Sequence, residues 1–239
     1  MRSRSAFLTI NLVFLLFMVA LSLSVGATQL DGLLSALLHP SANTSAAEIL
    51  WQIRIPRIVT ALIVGAALGV AGALAQGATN NPLAEPAILG TSAGAALAVV
   101  IGVLANVVVI GSVGAMVIAA IGALLATLLT LRFATLDRSV SPLNLVIIGL
   151  SLSATISAVV GLLTTAIARS DARSISFWSF GSLALTNSSD LIPLLIFTIT
   201  GITTALFIAP ELDLLSLGDT TARHLGIDPR KVRRIALVA

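Results

Sequence analysis

The stretch QGATNNPLAEPAILGTSAG, residues 76–94, decides how this chain is read. It lies between two long apolar runs and holds two Asn, two Pro and one Glu. Glu85 is the only charged residue between Arg57 and Arg132. Asn81 and Glu85 each precede a proline, which pushes them out of the helical region. Asn80-Asn81-Pro82 is a turn signal, so the preceding helix ends there. Two readings are open: a plain connector, or the mouth of a pathway. A cytoplasmic connector ordinarily carries Lys or Arg, and this one carries neither. Non-helical backbone at membrane depth is tolerated only against protein or a water-filled cavity, which favours the mouth.

The flanking sequence supplies the membrane. The 239 residues are 57% hydrophobic and 10% charged, with a mean hydropathy of +1.09. A soluble domain carries about a quarter charged residues. A spanning helix needs about 20 consecutive apolar residues, and six runs qualify: 6–27, 58–78, 89–108, 112–133, 144–168 and 191–210. A seventh begins at Ile235. The runs are continuous rather than alternating, which argues against a transmembrane barrel. Arg2 and Arg4 before the first run, and Ser24-Val25-Gly26-Ala27 after it, also suit a cleaved signal. The length of the run favours a retained span.

With the N-terminus inside, the inner loops hold Arg2, Arg4, Arg132, Arg138 and the cluster Arg223, Arg230, Lys231, Arg233, Arg234. The outer loops hold Arg54, Arg57, Arg169 and Arg173. The positive-inside rule therefore puts the N-terminus, the 76–94 break and the 211–234 segment on the cytoplasmic side. The net charge is only +3, so the cations are accounted for by topology and not by nucleic-acid binding.

Several chemistries are missing. There is no Cys, and hence no disulfide or thiolate. No Asp or Glu falls within the six runs, so no carboxylate proton or sodium relay is visible. The single Lys, Lys231, is not in a phosphate-binding loop motif. His39 and His224 fall on opposite sides and cannot share a metal. No catalytic residue, metal site or cofactor site is assigned.

Three further patterns carry expectations. Gly65 and Gly69 form G-x-x-x-G, extended by Gly72, a spacing that lets helices approach closely in lipid; Gly90–Gly94 repeats it. Gly149, Ser153, Ser157, Gly161 and Thr165 follow one another at four-residue steps, either bonding neighbouring helices or lining a polar path. In ELDLLSLGDTTARHLGIDPRKVRR, residues 211–234, Asp219 is expected to cap a short helix and Gly226 to end it. Asp228 caps again, with Pro229 opening the next helix. Ala222 and Leu225 would give the short helix a small apolar face, suited to docking.

These residues resemble a known family. RIPRIVTALIVGAALGVAGALAQGATNNPLAEPAILGTSAGA, SLGDTTARHLGID (216–228) and Phe177-Trp-Ser-Phe-Gly-Ser-Leu183 are similar, in order, to the permease subunits of type II ABC importers for iron–siderophores, haem and cobalamin, the FecCD-like permeases. The resemblance implies an all-α polytopic transmembrane bundle in a single permease domain, 1–239, with 211–234 as its coupling loop. This chain would hold six spans and the start of a seventh of the family's ten. Ending inside an apolar run, it reads as a fragment expected not to transport alone.

The function implied is a non-enzymatic translocation path for an iron chelate, with ferric siderophore as the leading substrate and haem or cobalamin as others. The alternative is a secondary transporter or channel for a small solute. Implied partners are a second permease subunit, two ATP-binding subunits, a periplasmic or lipid-anchored binding protein and lipid, in a bacterial inner membrane. Asn81 and Leu83 would narrow the cytoplasmic exit, and Ser153, Ser157 and Gly161 would face the path. Arg54 and Arg57 would meet the binding protein. Gly218, Asp219, Ala222, Leu225 and Gly226 would sit in the element that receives the ATPase's motion. The family's gate pair before the fifth helix has no clear counterpart here, leaving Ser141 as the nearest.

Overall fold

The structure is a computed structural model that describes residues 2–26, 32–40, 44–134, 142–165, 169–184 and 186–239. Arg138 and Ser141 lie outside the described residues, as does Ala27 of the cleavage-like stretch. Among the described residues every regular element is helical. The long α-helices are α1 (Arg2–Ser24), α4 (Ile55–Thr79), α6 (Val113–Ala134), α7 (Pro142–Thr165) and α9 (Leu191–Leu215). The shorter ones are α2 (Leu33–Leu38), α3 (Ser45–Glu48), α5 (Thr91–Leu104), α8 (Arg169–Phe180), α10 (Asp219–His224) and α11 (Pro229–Val238).

Each of the six apolar runs holds a helix, and among the described residues five helical segments are long and apolar enough to cross a membrane. The run expected over 89–108 yields a 14-residue α5. The broken segment takes its first turn, and Asn106 takes a left-handed conformation (φ 55°) beyond its last. A reading from hydropathy also overlooks the helix over 45–54. There α3 passes into a wider π-helical stretch, Ile49–Arg54, which runs on into α4. Pro56 follows one residue beyond it, and its ring has no N–H to give an α-helical turn; local widening of this kind re-satisfies the freed carbonyls.

The chain gathers into two compact units, Met1–Ile63 with Leu183–Leu194, and Val64–Ser182 with Leu195–Ala239. In the first, Ala36, Ala47 and Leu50 form a small core beneath Leu23 and Ile55. In the second, Leu74, Ala78, Leu89, Leu145, Leu215 and Val232 belong to one larger core. That core joins the end of α4, the broken segment and the two C-terminal helices. Much of the remaining apolar surface is exposed, with Phe7, Phe14, Leu206 and Phe207 all outward, as lipid-facing helices require.

The glycines divide sharply. A Cβ on Gly94 would strike the Gly122 carbonyl of α6, and one on Gly122 would strike that of Gly94. Here backbones touch. By contrast a Cβ on Gly65, Gly69 or Gly72 meets nothing within 4 Å. The G-x-x-x-G of α4, expected to pack, meets no partner among the described residues: spacing permits close approach but does not supply the second helix. The stripe of α7 splits likewise. Gly149 lies directly on the Ile88 carbonyl, while Gly161 is open.

Gly149→Ala is therefore expected to destabilise the fold by about 1–3 kcal/mol, the range for overpacking. Gly161→Ala should be neutral or stabilising by under ~1 kcal/mol through the unfolded chain. Thermal unfolding of the purified protein in detergent checks the pair; equal effects would place the α7 contact elsewhere.

Candidate functional site

The broken segment begins where α4 runs out of helical partners. The last four carbonyls of a helix are orphaned, and here the next residues turn back to meet them. Asn80 adopts a left-handed conformation (φ 50°), which Asn tolerates better than other non-glycine residues. Its N–H donates to the Gly77 carbonyl at 3.4 Å, and that of Asn81 to the Gln76 carbonyl at 3.1 Å, the two bonds of a Schellman ending. Thr79 Oγ1 donates to the Ala75 carbonyl at 2.7 Å.

Asn81 then sets the turn. Its Oδ1 accepts from Leu83 N at 2.9 Å, and its carbonyl accepts from Ala84 N at 3.1 Å. Leu83 stands at the tip, 84% exposed, beside a buried Ala84. Glu85 is extended (φ −127°, ψ 153°), as a residue before proline must be. A single 3₁₀ turn, Pro86–Leu89, follows, and Gly90 (φ 83°) releases the chain into α5. The Leu89 carbonyl accepts from the fully buried Thr130 Oγ1 of α6 at 2.9 Å, and the Pro86 carbonyl from Thr91 Oγ1 at 3.2 Å. The break is thus a packed turn.

The 211–234 segment is only partly loop. Residues 211–215 complete α9 and 229–234 open α11. Asp219 is not the cap. Gly218 occupies that position with φ 98°, and Asp219 is the first helical residue. Its carboxylate instead takes a two-pronged bond from Arg233 of α11, at 2.8 and 2.5 Å. The glycine break holds: Gly226 (φ 83°) donates to Arg223 and Ile227 to Ala222 in another Schellman ending. Asp228 Oδ1 caps α11 by accepting from Arg230 N at 2.9 Å, with Pro229 next. Ala222 is wholly buried in the core, so the expected Ala222–Leu225 face does not form. Leu225, 54% exposed, stands outward with Leu217.

The other expected residues scatter. Ser153 Oγ is enclosed beside Gly90 and has no hydrogen-bond partner among the described residues, whereas Ser157 and Gly161 are exposed. Arg54 turns inward, 9% exposed, and Nη1 donates to the Leu23 carbonyl in the last turn of α1 at 2.6 Å. Gly26 makes room for it, since a Cβ there would meet the guanidinium at 2.5 Å. Arg57 is exposed and donates to the Ala184 carbonyl at 2.8 Å. Sequence reasoning missed Arg233, which read as one more inner-loop cation. Its placement four residues after Pro229, on the face shared with Val232 and Ala236, was the available signal.

The model of the FecCD transport family matches residues 12–239. The chain belongs to that family. This FecCD chain is 34% identical over 222 residues to the iron(3+)-hydroxamate import system permease protein FhuB of Bacillus subtilis strain 168, covering 91% of itself and 57% of FhuB. It is 32% identical to the hemin transport system permease protein HmuU of Yersinia pestis (92% and 67%). It is 34% identical to the ferric enterobactin transport system permease protein FepD of Escherichia coli K12 (95% and 68%). A solved structure described as an inward-facing metal-chelate type ABC transporter superposes with a TM-score of 0.75 at 28% identity, over 98% of this chain and 72% of that one. The FecCD chain thus spans a little over half the length of FhuB. With its apolar helices it is an integral membrane protein.

The Asp219 carboxyl is held below its ordinary range, first by the hydrogen bond from Arg233, with burial opposing and the charges of Arg233 and Arg223 assisting. A carboxylate with a lowered folded pKa stabilises the fold above its unfolded value and loses that contribution as pH falls through the folded one. The stability gap between the parent and Asp219→Asn is therefore expected to stay constant from about pH 8 to 5 and to close below about pH 4. Thermal unfolding across that range measures it; a gap that closed near neutral pH would assign it to another group.

Proposed function

We propose that this chain forms the translocation path of an ATP-driven importer for an iron chelate, as one permease subunit of an ABC system. The observation that carries this reading is the packed break together with the short helix α10, bracketed by two glycines at positive φ, both rooted in one core. FecCD membership and the names of the relatives support the transport class. Ferric siderophore is the leading substrate, with haem and cobalamin as the other members of the class.

On this reading Asn81 shapes the cytoplasmic gate and Leu83 is its projecting tip. Ser157 and Gly161 face the path, and small side chains leave room for a bulky chelate. Ser153, enclosed under Gly90, steadies the gate from behind. Arg57 is the residue offered to a binding protein, and Arg54 fixes the end of α1 behind it. Gly218, Asp219, Leu225 and Gly226 make the coupling element, seated on Ala222. A separate pair of ATPase subunits supplies hydrolysis, and a second permease closes the path. The Arg and Lys distribution supports a cytoplasmic N-terminus and coupling turn in a bacterial inner membrane.

The test is uptake by the full reading frame, co-expressed with its ATPase and binding protein in a strain lacking its own importer. Radio-iron is supplied as several ferric siderophores, with haem and labelled cobalamin alongside. ATP-dependent uptake of one chelate, abolished by Gly226→Pro, is expected. A fully assembled complex that takes up none of them would overturn the reading.

A further inference from the structure

Arg233 is the most deeply buried charge among the described residues, 4% exposed, and each of its three guanidinium nitrogens donates a hydrogen bond. Nε donates to the Ala78 carbonyl at 2.9 Å, while Nη1 and Nη2 hold the two oxygens of Asp219. Ala78 lies in the last turn of α4, two residues before the left-handed Asn80, and its carbonyl is one of the orphans a helix end must place. A cation is favoured there by the helix dipole as well. One rigid planar group on α11 therefore binds the end of α4 and the start of α10 together. Lys has no such fork and would reach the same partners only as a point charge.

We propose that Arg233 is the mechanical link between the coupling helix and the gate, a positioning residue that passes a displacement of α10 to the turn at Asn80–Leu83. The inference rests on the gate and coupling roles proposed above. Its physics is local. Leu217 and Leu225, both exposed, flank α10 and give a partner something to push. A push moves the Asp219 carboxylate. The guanidinium either follows or is left buried with one partner missing, and an uncompensated buried charge is the costlier outcome. As it follows, its other edge draws on the Ala78 carbonyl, immediately before the point at which the backbone leaves the helix. Glycines at 218 and 226, both at positive φ, bracket α10 with backbone that can absorb such a movement.

These 239 residues hold no cysteine, so Leu83→Cys, with any cysteine elsewhere in the assembled complex replaced, offers an attachment point for a spin label at the exposed tip. In the full-length permease assembled with its ATPase in nanodiscs, the parent label should change mobility when ATP is added. With Arg233→Gln that ATP-dependent change, per assembled complex, should fall about tenfold, within the 5–150-fold usual for coupling between sites, while ATP hydrolysis continues. Asp219→Asn, altered on the half-exposed side, should weaken the response in the same direction even where Arg233→Gln assembles poorly. Arg233→Lys should restore part of it.

A merely structural brace predicts fewer assembled complexes, each with the parent's response. An undiminished response in Arg233→Gln or Asp219→Asn would overturn the link. A parent label indifferent to ATP, with hydrolysis running, would instead sink the gate reading on which the link rests.

Discussion

Between Thr79 and Thr91 the backbone leaves the helix in largely apolar surroundings, and each N–H and C=O released there has to find a partner. An unsatisfied buried group costs about 1–3 kcal/mol, so several together would melt a turn of this length. The partners come from every side. Asn80 and Asn81 return to the helix they have just left. Arg233 reaches in from α11, and Thr130 from α6. Most of the second unit's packing can be understood as what is needed to bring these groups to one place.

The close glycine contacts serve the same end. Gly149 lets α7 lie against the Ile88 carbonyl, and Gly94 with Gly122 brings α5 onto α6 backbone to backbone. These contacts fix the far side of the broken segment, while the Arg233 fork fixes the near side. The tip at Pro82–Leu83, with Glu85 and Ala87, is left outside. In the first unit Arg54 repeats the device on a smaller scale, setting a guanidinium against the last turn of α1. Where water is scarce, arginine is well suited to this work, because one planar group offers five donors and keeps its charge.

How much of this is legible in the sequence depends on the range of the interaction. Five of the six apolar runs, the stop at Asn80-Asn81-Pro82, the extended Glu85, the Gly226 ending and the Asp228 cap follow from residues close in sequence, and the structure has them there; the 89–108 run comes out as the shorter α5. The misses are long-range. Asp219 looks like a cap because nothing nearby reveals the arginine fourteen residues later that claims its carboxylate. Gly65 and Gly69 look like a packing face because the motif states what they allow and not what is present. Ala222 looks available because an alanine carries no sign of how deeply it will be buried. Arg54, taken for an outward cation, is turned in by a carbonyl thirty-one positions earlier.

The functional account stands on the break being a packed turn in which exposed and buried residues alternate, rather than a loose loop. Single cysteines at 83, 84, 85 and 89, in a chain that has none of its own, test this most directly in membrane vesicles with a water-soluble maleimide. Fast labelling of Leu83→Cys and Glu85→Cys from one face only, with Ala84→Cys and Leu89→Cys protected, is the predicted pattern. Uniform labelling of all four would contradict it.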